Sequence, residues 1–74
     1  MITWIGLCAG EIWNHLDKNN RKSTIAKIFS DIKAPKETIF MALGWLAREG
    51  HIQLNDMAPE SVVELKSVVE EAIN

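Results

Sequence analysis

The sequence predicts a mainly α-helical domain in which a three-helix core is followed by a short β segment, and three observations support this fold class. Apolar residues recur at helical spacing in three separate stretches of residues 1–50. Turn-forming or helix-breaking residues, Asn19, Asn20 and Pro35, separate these stretches. Beyond Gly50, residues 51–55 alternate between polar and apolar side chains, as a half-buried strand does.

Length and composition indicate one small globular domain. The chain has 74 residues, of which 47% are hydrophobic and 24% are charged, so we expect a packed core rather than a disordered chain. Its apolar runs are shorter than the roughly 18 to 20 residues that cross a bilayer, and its N-terminus lacks the basic region of a signal peptide. The single cysteine, Cys8, permits no internal disulfide, which together with the missing export signal favours the cytoplasm.

The net charge of −2 is distributed unevenly along the chain. Residues 21–50 carry six basic and three acidic side chains, whereas residues 51–74 carry one basic and five acidic side chains. The total therefore counts against a nucleic-acid partner, while the basic middle of the chain favours one.

The first helix is predicted from about residue 4 to residue 18. Thr3 is a suitable N-cap, and Asn19 and Asn20 end the helix as turn formers. Its buried face is predicted from the apolar residues at helical spacing, which are Ile5, Cys8, Ala9, Ile12 and Leu16.

A short second helix is predicted over residues 23–31, with Ser23 as its N-cap. It stops before Pro35, because the residue that precedes a proline is pushed out of the α region. Its apolar stripe consists of Ile25, Ile28, Phe29 and Ile32.

The third helix is predicted over residues 35–49, with Pro35 at its first position and Gly50 as a left-handed C-cap. Its spacing gives one buried face made of Ile39, Ala42, Leu43 and Leu46. The opposite side presents Glu37, Met41, Gly44 and Arg48, with Phe40 and Trp45 on the two flanks.

The C-terminal segment has two interpretations. Residues 59–73 have the pattern of an amphipathic helix that starts at Pro59, and the apolar count favours this helix. The competing interpretation makes residues 62–66 a strand that pairs with the strand predicted at 51–55. It supplies the partner that the strand at 51–55 would otherwise lack, and a lone strand is unstable. The connecting run NDMAPE is not a typical hairpin turn, so both interpretations stay open.

The stretch ALGWLAREGHIQL, from Ala42 to Leu54, resembles a family of small, largely uncharacterised bacterial winged helix-turn-helix proteins. In that family an ALGWLARE helix leads directly into the wing strand, and the first helix often reads like GLCAGEIWNHL here. The likeness covers about residues 5–55. It implies a winged helix-turn-helix fold and a DNA-binding, regulatory role without indicating a target.

In that fold the helix at 35–49 is the recognition helix, whose N-terminal and outward residues face base edges in the major groove. Those residues are Lys36, Glu37, Phe40, Met41, Gly44 and Arg48. Lys36 could contact guanine or phosphate, and Arg48 could contact phosphate. Phosphate would repel Glu37 unless its carboxylate accepts a hydrogen bond from cytosine. Phe40 and Met41 offer only apolar contact with a thymine methyl. The alternative is therefore a protein-interaction module that keeps the fold and buries Phe40 and Met41 against another chain.

Four further basic residues cluster around the second helix and its flanking turns, namely Arg21, Lys22, Lys27 and Lys33. Contacts between such side chains and phosphate would position a domain on double-stranded DNA and make binding dependent on salt. A solvated surface is the ordinary interpretation of each lysine taken alone.

Aromatic residues at the margins of the predicted core favour a homodimer. Three tryptophans and Phe40 are difficult to bury within one small protomer, and buried aromatic area is typical of interface anchors. A C-terminal helix could pair with its own copy through the same kind of contact. The predicted interface residues are Trp4, Trp13, Trp45, Val62, Leu65 and Val69.

The sequence has no recognisable catalytic or metal-binding motif. Cys8 and His15 fall on nearly the same face of the first helix, but zinc needs further ligands at metal spacing, and neither CxxC nor HxxxH occurs. Two helical turns separate this pair by roughly 10 Å, too far for a nucleophile and its base. His51 lies elsewhere, and the scattered glycines form no phosphate loop. We therefore expect a protein that is not an enzyme and holds no cofactor or metal.

Overall fold

The computed structural model describes residues 4–66, which form three helices and a three-stranded antiparallel sheet. In chain order the elements are α1 (Trp4–Lys18), β1 (Lys22–Thr24), α2 (Ile25–Asp31), α3 (Lys36–Arg48), β2 (Ile52–Gln53) and β3 (Val62–Leu65). The strand order is β1-β3-β2. This arrangement confirms the mainly α, winged helix-turn-helix fold class, with β2 and β3 as the wing.

The core lies between the three helices and the inner face of the sheet. Every residue predicted for the buried faces of the three helices is either buried or packed against the core, because each helix has a continuous apolar stripe. The strands add Ile52, Val63 and Leu65. Val63 is completely buried at the centre of the sheet, where the strand's alternation directs it inward.

The start of α2 differs from the prediction. Thr24, not Ser23, is the N-cap, since the Thr24 side chain accepts a hydrogen bond of 3.1 Å from the backbone N–H of Lys27. Ser23 instead lies in β1, opposite Val63 of β3. A strand of three residues leaves no periodic pattern in the sequence, so β1 was not predicted.

α3 begins one residue later than predicted, with Pro35 as its N-cap residue, and ends at Arg48. Gly50 has φ of 81°, the left-handed conformation expected after a helix end. At the end of α1, Asn20 and Arg21 have φ of 61° and 69°, so two consecutive non-glycine residues turn the chain in the left-handed region.

The helix favoured over residues 59–73 is wrong for residues 59–66, where Val62–Leu65 form strand β3. β3 pairs with β1 on one side and with β2 on the other, and its alternation buries Val63 and Leu65 while exposing Val62 and Glu64. Two hydrogen-bonding neighbours outweigh the segment's local preference for a helix. The rest of that prediction, including Val69, and the Thr3 cap lie outside the described residues.

Candidate nucleic-acid interface

The outward face of α3 is open to solvent along its whole length. Lys36 and Glu37 are exposed in its first turn and Arg48 is exposed in its last. Between them Phe40 is 42%, Met41 52% and Trp45 47% exposed. At 1.5 Å per residue the two cations are about 18 Å apart along the helix axis. The face is therefore an apolar, aromatic strip with a cation at each end.

Aromatic contacts hold two side chains of this strip in place. The Phe40 ring lies edge-on to Phe29 of α2, with 4.9 Å between ring centroids. The Trp45 ring is tilted against His51, with 5.9 Å between centroids. Both distances are in the range at which aromatic pairs attract each other, so these rings are supported by neighbours within the protomer.

The basic residues predicted to contact phosphate differ in what surrounds them. Within residues 4–66 one ion pair joins Lys27 to Asp31, at 3.3 Å, and the Nδ1 of His15 lies 3.6 Å from the same carboxylate. The other five predicted phosphate ligands, which are Arg21, Lys22, Lys33, Lys36 and Arg48, are exposed and outside these pairs. Lys27 is the weakest candidate, because Asp31 already neutralises it.

The wing loop, residues 54–61 between β2 and β3, closes the start of α2. The carbonyl oxygens of Ser61 and Pro59 accept hydrogen bonds from the backbone N–H groups of Ile25 and Ala26, each at 2.9 Å. These N–H groups are thereby unavailable to a phosphate. The loop itself carries Asp56 and Glu60 and no basic residue, so it has no cation to offer to DNA.

His15 has a role that the sequence did not reveal. Its side chain is only 8% exposed, and its Nε2 shares a hydrogen bond of 3.1 Å with the Ser23 hydroxyl. Its Nδ1 faces Asp31, so one imidazole connects α1, β1 and α2. Because three elements meet at this ring only after folding, no local sequence signal could have identified the contact.

Cys8 is buried in the core, and burial raises the pKa of its thiol, with the nearby Glu11 carboxylate adding to the rise. A protonated buried thiol behaves as a small apolar side chain. Within residues 4–66 we find no cluster of three or more His, Cys, Asp or Glu side chains placed to hold a metal ion.

The predicted dimer residues do not form one surface. Trp4 is 79% and Val62 51% exposed, but Leu65 is only 5% exposed and belongs to the protomer's own core, so its assignment to the interface is corrected. Trp13, although exposed, is nine residues from Trp4 on α1 and therefore points to the opposite side of the helix. One flat interface cannot contain both tryptophans.

Comparison with known proteins identifies a family. A family model described as a winged helix-turn-helix domain (DUF2582) matches residues 1–65. The match includes every helix and strand given above. No curated protein and no solved structure matched the chain. Among the described residues, no helix has the length and apolar content needed to cross a membrane.

Proposed function

Because the chain belongs to the winged helix-turn-helix family DUF2582, we propose that it binds double-stranded DNA and acts as a non-catalytic regulator in the cytoplasm. In this proposal α3 enters the major groove, as recognition helices of this fold type do. The observation that carries it is the outward face of α3, which is exposed from end to end and has at each end a cation that forms no ion pair within residues 4–66.

The two cations have different tasks. Lys36, in the first turn of α3, is placed where recognition helices approach bases and the neighbouring phosphates, and Arg48, in the last turn, is placed for phosphate alone. Between them Phe40 and Met41 can contact thymine methyl groups, but neither donates a hydrogen bond and only the Met41 sulfur is a weak acceptor. Base discrimination on this face would therefore be small.

Three features limit the affinity of this face for DNA. Glu37 adjoins Lys36 and Glu49 adjoins Arg48, so each cation has an acidic neighbour in sequence. The wing loop is acidic, and it already occupies two N–H groups at the start of α2. Affinity would then depend on few phosphate contacts, and we propose binding that is weak and strongly reduced by salt.

An NMR titration of the labelled protein with a duplex of random sequence tests this proposal. At about 50 mM salt we expect amide shifts at Lys36, Phe40 and Arg48 that diminish at about 200 mM, where phosphate-driven binding is much weaker. Residues of the core and of the outer side of α1 serve as internal controls. Unchanged spectra at the lower salt concentration would overturn the proposal, because specific readers also depend on phosphate attraction.

A second function is favoured by the apolar strip on α3. Phe40, Met41 and Trp45 are large, half-exposed side chains next to one another, and such residues are enriched at the centres of protein interfaces. In this alternative the domain is a protein-interaction module. The double variant Phe40→Ala and Met41→Ala separates the two functions. It should leave most salt-dependent DNA affinity in place, since it removes no charge, but it should abolish binding to a protein that uses this strip.

A further inference from the structure

An open cavity lies beside the N-terminal half of α1. Its volume is about 440 Å³, and it separates α1 from the α2–α3 connection. From α1 it is lined by Trp4, Leu7, Cys8 and Glu11, which recur at helical spacing, and from the other side by Lys33 and Pro35 among others. None of these residues belongs to the outward face of α3.

A projecting apolar group borders this cavity. Trp4 is 79% exposed, the largest exposure among the large hydrophobic side chains of the described residues, and Leu7, one turn further along α1, is 47% exposed. A large aromatic side chain and a hollow big enough to receive one therefore lie on the same face. A two-fold symmetric contact requires this kind of self-complementary surface, because each subunit presents the same patch to the other.

The charges on this face are also self-complementary. Glu11 and Lys33 both line the cavity and both are exposed, yet neither takes part in an ion pair within the described residues. In a two-fold contact an acid and a base on one patch meet the base and the acid of the other patch. The contact would then contain two equivalent ion pairs, one on each side of the axis.

We propose that this face binds a second copy of the chain about a two-fold axis near Leu7. The two α1 helices run antiparallel across the axis, so that residues at equal distances on either side of it oppose one another. Trp4 then enters the partner's cavity and lies opposite the partner's Glu11, while Glu11 and Lys33 of each chain form ion pairs with Lys33 and Glu11 of the other.

Of the three tryptophans predicted for the interface, this assembly buries Trp4 and leaves Trp13 and Trp45 outside the contact. Trp13 lies on the opposite side of α1, and Trp45 lies on α3 against His51. The cavity lining includes none of Lys36, Met41 and Arg48. The proposal does not rest on DNA binding. It gives Lys33 a protein partner in place of phosphate.

Sedimentation of the full chain over a range of about 5 to about 500 μM measures the association. We expect the wild type to shift from monomer to dimer as concentration rises. Trp4→Ala should weaken the dimer at least about 30-fold, the effect of losing a central interface residue. Trp13→Ala removes an equally large, exposed indole from the other side of α1, and it should leave the dimer unchanged.

Charge exchange tests the predicted orientation. Glu11→Lys and Lys33→Glu should each weaken the dimer, since each places like charges across the axis, and the double variant should restore it. All four side chains changed in these experiments are exposed, and a circular dichroism spectrum verifies that the variants fold. A wild type that stays monomeric at the highest concentration overturns the proposal, as does a Trp4→Ala variant that dimerises normally. Failure of the double variant to restore association overturns the ion pairing.

Discussion

Removing the two α3 cations should flatten the salt dependence of DNA binding by an amount that the structure allows us to calculate. Each neutralised phosphate contributes about −0.9 to the slope of the logarithm of the binding constant against the logarithm of the salt concentration. For a fourfold rise in salt, one contact then accounts for an affinity loss of about 3.5-fold, and two contacts for about 12-fold. Lys36 and Arg48 are the two cations on the exposed face of α3, and neither is held in an ion pair within residues 4–66.

Fluorescence anisotropy with a labelled duplex, recorded at about 50 mM and about 200 mM salt, measures the loss directly. The loss should be about 3.5-fold smaller in Lys36→Ala than in the wild type, and about 12-fold smaller in Lys36→Ala combined with Arg48→Ala. Lys18→Ala is the matched control, because it removes an exposed cation from the last turn of α1 and should leave the slope unchanged. Equal slopes in the wild type and the double variant would show that α3 contacts no phosphate.

Three further predictions concern stability, measured by urea unfolding. Thr24→Ala should lower the free energy of unfolding by about 1 kcal/mol, since it removes the N-cap acceptor of α2; an unchanged midpoint would contradict that role. Arg21→Gly should raise the free energy of unfolding by up to about 1 kcal/mol, because glycine adopts the left-handed φ of 69° without steric cost. A variant less stable than the wild type would show that the Arg21 side chain stabilises the fold by more than its backbone strain costs. Because burial raises the pKa of the Cys8 thiol above its ordinary value of 9.0, the thiol contributes to the free energy of unfolding fully below pH 9.0, and this contribution is lost as pH rises through the folded pKa. Cys8→Ala should therefore lose less stability than the wild type as pH rises above 9.0, and identical alkaline losses would refute this.

The helices could be predicted from the sequence because their signals are local. The apolar stripe of α3 shows both which side is buried and which side is exposed, so the outward positions of Glu37, Met41 and Arg48 followed from periodicity alone. The same reasoning placed the left-handed Gly50. The strand β3 was not determined in this way, since Val62 and Leu65 fit a helical stripe as well as an alternating one. Its pairing with β2 and with β1 decides between them, and β1 is distant from it in sequence.

The candidate site was predictable only in part for the same reason. Residue types and helix faces are local properties, whereas the ion pair that neutralises Lys27 and the burial of Leu65 depend on the folded neighbours. His15 illustrates the limit most clearly. On the helix it is a polar residue at the edge of an apolar stripe, and only the assembled fold places Ser23 and Asp31 beside its two nitrogens.

The wing loop links these structural details to function. Its two carbonyl groups accept hydrogen bonds from the first N–H groups of α2, and the Thr24 hydroxyl accepts from the next available one. The wing is thus part of the cap of α2, and moving it towards DNA would expose backbone groups that are now satisfied. Its charges, Asp56 and Glu60, would oppose such a movement as well. If α3 binds DNA, it therefore does so without the wing. The low affinity that follows from few phosphate contacts can be offset by joining two domains through the α1 face, because two linked recognition helices bind DNA more tightly than either does alone.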